Sequence, residues 1–301
     1  MIEQVKIILN SYDLTNFQVS VIILLILSFL FIIKSLYKVY IENYGQNLKI
    51  NAQHVFEERK KIKAEISKYK THLLNTCEDV NHRFLNLREH YSHSWLKLDR
   101  NYKDKEKYYF HSTIYRFLCL YFWIKKAQKE IFYLDTTIAS KEDLEFITFL
   151  KIFPNIMCDL DYIIGPSADQ NSEDDHFFRN IFESFPDFIL DNGTPKSFEK
   201  YIEDLPNLKI SLEKLYIYFD GITPTENRVR WDRIHFLHLT IILFLNNYGY
   251  DFQKTDQKNL KEILSGPKKS SLLNNYLKYL KKYNLLKNKE VKQLINLSKK
   301  L

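Results

Sequence analysis

The run from Asn227 to His238, N-R-V-R-W-D-R-I-H-F-L-H, gathers three arginines, one aspartate and two histidines in twelve residues. Guanidinium binds phosphate and carboxylate, and imidazole moves protons near neutral pH. Arg230 precedes His235, and Arg233 precedes His238, each by the spacing R-x4-H; Arg228 and His235 stand two turns apart on one helical face. Stepped at about 100° per residue, Ile234, Leu237, Ile241, Leu245 and Tyr248 form one apolar face, with Arg230 and His238 roughly 40° to either side of Ile234. A cation on a core stripe needs a carboxylate or several carbonyls, and acids of residues 159–204 are candidate partners. The residue types therefore suit an ion-pair network that orients the helix. Asp232, His235 and His238 follow i, i+3, i+6, but spread from about 160° to about 40°, too wide for a compact metal site.

The R-x4-H spacing resembles the R-x4-6-H motif of HEPN-type ribonucleases. The resemblance covers about a dozen residues and implies an all-helical fold. It also implies metal-independent RNA cleavage by arginine and histidine meeting at a dimer interface. The carried-over pair is Arg230 with His235, or Arg233 with His238 as a second pair.

Other chemistry is sparse. Six scattered glycines offer no P-loop and no dinucleotide fingerprint, and G-x-S-x-G, H-E-x-x-H and a calcium-loop pattern are absent. Glu173, Asp174 and Asp175 precede His176 in a polar loop, where consecutive acids are expected to be solvated. Cys77, Cys119 and Cys158 are far apart, which suits three packing thiols in a reducing compartment better than a disulfide scaffold or zinc site. Neither metal nor cofactor is expected.

What must hold such residues begins with a membrane signal. The twenty residues between Asp13 and Lys34 carry no charge, and Val19–Ile33 reads VSVIILLILSFLFII. Twenty helical residues span about 30 Å, the thickness of a bilayer's hydrocarbon core. The exit, KSLYKVYIENYGQ, is bulky and charged, without the small-residue site of a cleaved signal. Lys34, Lys38 and Lys49 follow the run and only Lys6 precedes it, so the positive-inside bias favours an outside N-terminus and a cytoplasmic C-terminal domain. Ile234–Tyr250 is also uncharged, but His235, His238, Asn246 and Asn247 make it a buried core helix rather than a second span.

Between Gly45 and Pro154 stands neither glycine nor proline. Ile62, Ile66, Tyr69, Leu73, Cys77, Val80, Phe84, Leu87, Tyr91, Trp95 and Leu98 recur at the helical period, which predicts one long amphipathic helix ending near Arg100. Further helices are expected over 108–133, from a Ser140 cap to Pro154, which must kink or end it, over 177–190, from Pro195 with Thr194 as cap, over 207–220, and from a Thr223–Pro224–Glu226 capping box to about Asn247. Two or three lysine-rich helices close the chain. No strand is expected.

Charge is segregated. Residues 159–204 carry twelve acids against three cations, and residues 255–301 carry twelve lysines against three acids. The segments are suited to bind each other, or the basic tail to lie on anionic lipid or nucleic acid. The fold expected is all-α: residues 1–13 outside, a span over 14–33, a juxtamembrane helix over 34–100, a core over 101–254 with an acidic loop at 165–176, and a basic tail over 255–301. The function expected is partner binding by a single-pass, membrane-anchored cytoplasmic domain acting as scaffold, sensor or regulator. It would use a protein partner or self-association, with anionic lipid at the tail. The alternative is a membrane-tethered HEPN-like ribonuclease of a toxin or host-defence module, for which RNA is the partner.

Overall fold

The computed structural model describes residues 15–161, 163, 174–207 and 210–300. About 75% of the described residues are helical, in ten α-helices. By internal contacts it divides into residues 1–60 and 61–301.

Helix α1, Asn16–Glu89, begins on a reciprocal cap. The Gln18 N–H donates to Thr15 Oγ1 at 3.4 Å, and the Thr15 N–H donates to Gln18 Oε1 at 2.9 Å, which satisfies two of the donors a helix start leaves open. No break occurs at Gly45. In the first unit most of its apolar residues are exposed, Leu24, Phe29 and Phe31 by more than 60% each. In the second unit Ile62, Ile66, Tyr69, Leu73, Cys77, Val80, Phe84 and Leu87 are buried at the expected spacing.

The stripe stops short of Arg100. Tyr91 and Trp95 are exposed, a 3-10 turn occupies Tyr91–His93, and Ser94, Asp99 and Arg100 take positive φ. Asp220 is the physical reason, because its carboxylate accepts from the Leu98 N–H (2.7 Å) and the Arg100 N–H (2.9 Å). Gly221, at φ 67°, donates its N–H to the Leu96 carbonyl at 2.9 Å. Long-range acceptors thus replace the helical ladder, and Leu96 and Leu98 are buried from a loop.

Helix α2, Tyr108–Ile131, and helix α3, Lys141–Cys158, follow. The Asp143 N–H donates to the Ser140 hydroxyl at 3.1 Å, as the cap requires. Pro154 does not end α3, which continues to Cys158.

The next segment departs from expectation. Instead of helices over 177–190 and from Pro195, there is α4, Arg179–Phe182, then a 3-10 turn at Phe185–Ile189. Strands β1 (Leu190–Asp191) and β2 (Thr194–Pro195) pair antiparallel, Leu190 opposite Pro195 and Asp191 opposite Thr194. Asn192 and Gly193 have φ 48° and 82°, the positive values a tight two-residue hairpin needs. Ser197, not Thr194, then caps α5 at Phe198–Glu203.

Helix α6 spans Ile210–Phe219 and α7 spans Val229–Tyr248. The Thr223 capping box is not formed; α7 starts six residues later, at Val229, and Glu226 serves an ion pair instead. Sixteen residues of α7 are buried. The ring of Phe244 lies 5.4 to 5.9 Å from those of Phe146, Phe149 and Phe153 on α3.

Helices α8 (Gln257–Ser265), α9 (Leu273–Lys282) and α10 (Lys289–Ser298) cover the other side of α7. Tyr276 stacks on Phe236 at 4.7 Å, and its hydroxyl meets Thr240 Oγ1 at 2.7 Å. Leu260, Ile263, Leu273, Leu280 and Leu294 are buried, while the twelve lysines are exposed. The lysine-rich segment is therefore part of the same core, with its charge turned outward.

Candidate functional site

The chemistry-bearing residues of α7 sit at the centre of the second unit. Arg228, at the N-cap, directs Nε and Nη2 to Asp175 at 3.1 and 2.5 Å. Asp175 is 1% exposed, so this acid of the polar loop is buried and paired rather than solvated. The other acids of that loop lie largely outside the described residues.

Arg230 is buried on the core face as its position requires, but its carboxylate is local. Nε and Nη2 meet Glu226 at 2.9 and 2.7 Å, and Nη1 donates to the carbonyls of Tyr218 (2.8 Å) and Asp220 (3.1 Å). The Tyr218 hydroxyl donates back to the Arg230 carbonyl at 2.9 Å. Burial lifts the Glu226 carboxyl above its ordinary range, against the pull of Arg230. Removing either partner would leave the other charged and buried.

Arg233 is fully buried. Its Nη1 donates to the carbonyls of Ile156 (2.6 Å) and Asp159 (3.0 Å), at the C-terminal end of α3. A guanidinium there meets acceptors the helix cannot use and the negative end of its dipole. Asp232 accepts from the Ser270 hydroxyl, and burial raises its carboxyl to about 6.

Both histidines face α1. His238 Nε2 lies 2.9 Å from the Asn81 side-chain oxygen, and its ring meets Phe84 edge-on at 5.7 Å. With that oxygen as acceptor, Nε2 carries the proton. Burial, then the neighbouring His235 and Arg88, holds this imidazole well below its ordinary range. His235 is also buried, and burial with Arg88 lowers it to about 4.

Each candidate thus has its own environment. Arg230 is engaged with Glu226 and α6, Arg233 with α3, and His235 and His238 face the Arg88 and Asn81 side of the core. Asp232 points to Ser270, away from the histidines, and no three metal-ligating side chains converge among the described residues. Arg230, Arg233 and the two imidazoles organise packing between α1, α3, α6 and α7, and Arg228 and Asp232 tie the start of α7 to Asp175 and Ser270.

Two surface features were missed by sequence reasoning. The imidazoles of His90 and His93 and the Trp95 indole form a mutual ring cluster, with centroids 5.0 to 5.6 Å apart, beside a cleft of about 330 Å³. Their signal was present as H-Y-S-H-S-W, but a helix through Arg100 would have split it between faces. A groove of about 550 Å³ lies between α2 and α3, floored by Ile131, Ile147 and Leu150. No motif marks it, because its floor is ordinary core-type sequence. The chain matches no protein-family model, no curated protein and no solved structure, so the site is read from geometry alone.

Proposed function

We propose that the protein is anchored by one membrane span, with its N-terminus outside and its C-terminal helical domain in the cytoplasm, and that it acts by binding partners. One contrast supports the anchor. Within α1 an 18-residue window has mean hydropathy 2.7 and is 6% buried, whereas the equally uncharged stretch of α7 is enclosed by its own domain. Apolar surface of that extent, left uncovered by protein, is accounted for by lipid. Among the described residues α1 is the one helix long and apolar enough to cross a membrane.

Partner binding is favoured because the guanidinium and imidazole groups of α7 are committed to internal contacts, leaving surfaces to carry function. The ribonuclease reading needs His235 or His238 at a phosphate, and both are buried at 5% exposure or less. The exposed lysines of α8, α9 and α10 suit an anionic membrane surface through screened charge.

Alkaline extraction and reporter fusions test the anchor and its direction. The chain is expected to remain in the membrane pellet, with fusions after Lys38 and Leu301 both reporting cytoplasm. Release into the supernatant would end the anchor reading, and an external signal at Leu301 would reverse the orientation.

A further inference from the structure

We propose that the seam formed by exposed Tyr37, Ile41, Tyr44, Leu48 and Asn51 and half-buried Val55 on α1 is a parallel self-association surface, occupied by the same segment of a second copy. The inference rests on the membrane-anchored, partner-binding reading and names that partner.

The steps along the seam are 4, 3, 4, 3, 4, the alternation of the two core positions of a coiled coil. On a helix these six side chains fall within about 80° of arc. Tyr37 is 67% exposed, Tyr44 56%, Leu48 53% and Ile41 47%. Tyr40 flanks the seam and stacks on Tyr44, with centroids 6.4 Å apart and planes 11° apart. The opposite face carries Lys38, Glu42, Gln46, Lys49, Gln53 and Glu57, at steps of 4, 4, 3, 4, 4, with exposed Val39, Ile50 and Phe56 at its borders. Lys38 and Glu42 form an ion pair there at 3.8 Å.

This division decides between occupants. A segment sunk in lipid would be apolar on every side, and a solitary solvated helix would be polar on every side. A heptad-spaced apolar seam opposite a mostly polar side calls for a protein surface along the seam. A second copy supplies it in register, since a bilayer orients every copy of the span the same way. Asn51 then faces Asn51 across the axis, where two amides can bond each other; a single polar seam residue of this kind fixes register and favours two strands.

The area is adequate for association on a membrane. Covering the tyrosines and aliphatic seam residues removes roughly 600 Å² per copy, or roughly 1,200 Å² per pair, the lower edge of specific interfaces. So short a coil is marginal in solution, whereas confinement to a bilayer raises the effective concentration of copies. Dimerisation should therefore need both the span and the seam.

Disulfide cross-linking of the full chain in native membranes tests this, with single cysteines placed from residue 36 to residue 55 and the unaltered chain as control for the native thiols. Cross-linked dimer is expected to peak for Tyr37→Cys, Ile41→Cys, Tyr44→Cys, Leu48→Cys and Asn51→Cys and to be low for Gln46→Cys and Gln53→Cys. Leu48→Glu, an exposed position that leaves the domain's fold intact, should lower the Tyr44→Cys cross-link at least tenfold, and Lys49→Glu should not. Alkaline extraction of the same membranes separates the two readings. If the chain is integral but cross-links evenly, not at all, or only to another protein, the self-association seam is wrong; if the chain is released, the anchor reading itself has failed.

Discussion

Gln128 of α2 donates its side-chain N–H to the Leu150 carbonyl of α3 at 2.8 Å. Leu150 stands four residues before Pro154, so its carbonyl is the acceptor that proline, lacking an N–H, leaves without its helical donor. A neighbouring helix thus mends the ladder, which explains how α3 passes through Pro154 and reaches Cys158. Gln128→Ala should cost about 1–3 kcal/mol by leaving a buried acceptor unpaired. Pro154→Ala restores a backbone donor, so the double variant should lose clearly less than the sum of the single losses. Additive losses in chemical denaturation would show that the amide does not serve this role.

Arg230→Ala should destabilise by about 3–5 kcal/mol, because Glu226 is left as an unpaired buried carboxylate. Replacing the pair together, with Glu226→Gln and Arg230→Met, should cost less than Arg230→Ala alone. The four stabilities of this cycle measure the coupling; a coupling near zero would mean that the Tyr218 and Asp220 carbonyls, not the carboxylate, hold the guanidinium.

The pH response has two opposed parts. His235 titrates near 6.5 in the unfolded chain and at about 4 when folded, so stability falls as pH drops through that window, by about 3 kcal/mol. Asp232 is raised from 3.8 to about 6, so the folded state takes the proton first and stability rises as pH falls through 6, by about 3 kcal/mol. These nearly cancel, and His238, which burial also holds well below its ordinary range, tips the balance toward loss in acid. Asp232→Asn removes the compensating gain and should steepen the loss between pH 6 and 4. Parallel stability profiles for the two proteins would refute this assignment.

The basic surface should bind anionic vesicles weakly, with an affinity that falls as salt rises. Deleting the segment is not the right probe, since Leu273, Tyr276 and Leu294 belong to the core. Changing Lys278, Lys281, Lys292 and Lys299 to glutamine should reduce vesicle flotation while leaving the melting temperature within a few degrees. Undiminished flotation would point to apolar insertion instead.

RNA cleavage discriminates the remaining alternative. Purified full-length protein, dimeric in a membrane mimic, is expected to leave RNA intact. Cleavage abolished by His235→Ala at unchanged melting temperature would reinstate the ribonuclease reading.

Periodicity made much of this fold legible. The stripe from Ile62 to Leu87 and the cap at Ser140 depend on local spacing, and the structure keeps them. Trp95 fell outside the helix because Asp220, 125 residues away, captures the backbone at Leu98 and Arg100, which no local pattern encodes. Thr223–Pro224–Glu226 has the residues of a capping box, yet Glu226 is worth more beside Arg230 in a buried pair. The hairpin was readable from Asn192-Gly193, but strands of two residues are too short to show alternation. At the site, position on the core face correctly buried Arg230 and His238; His235 is buried as well because α7 is enclosed on more sides than one stripe implies.

The polar side chains of α7 also bear on how the newly made chain is sorted. Ile234–Tyr250 is uncharged and nearly long enough to be mistaken for a membrane span. Arginine or aspartate at the centre of a candidate span costs about 2.5–3.5 kcal/mol on insertion, and Arg230, Asp232 and Arg233 press against one end of this one. Inside the folded domain Arg230 and Arg233 find acceptors at α6 and α3, and Asp232 accepts from Ser270. The side chains that fix α7 in the finished protein would thus also act earlier, against insertion, and keep the heart of the domain in water until it folds.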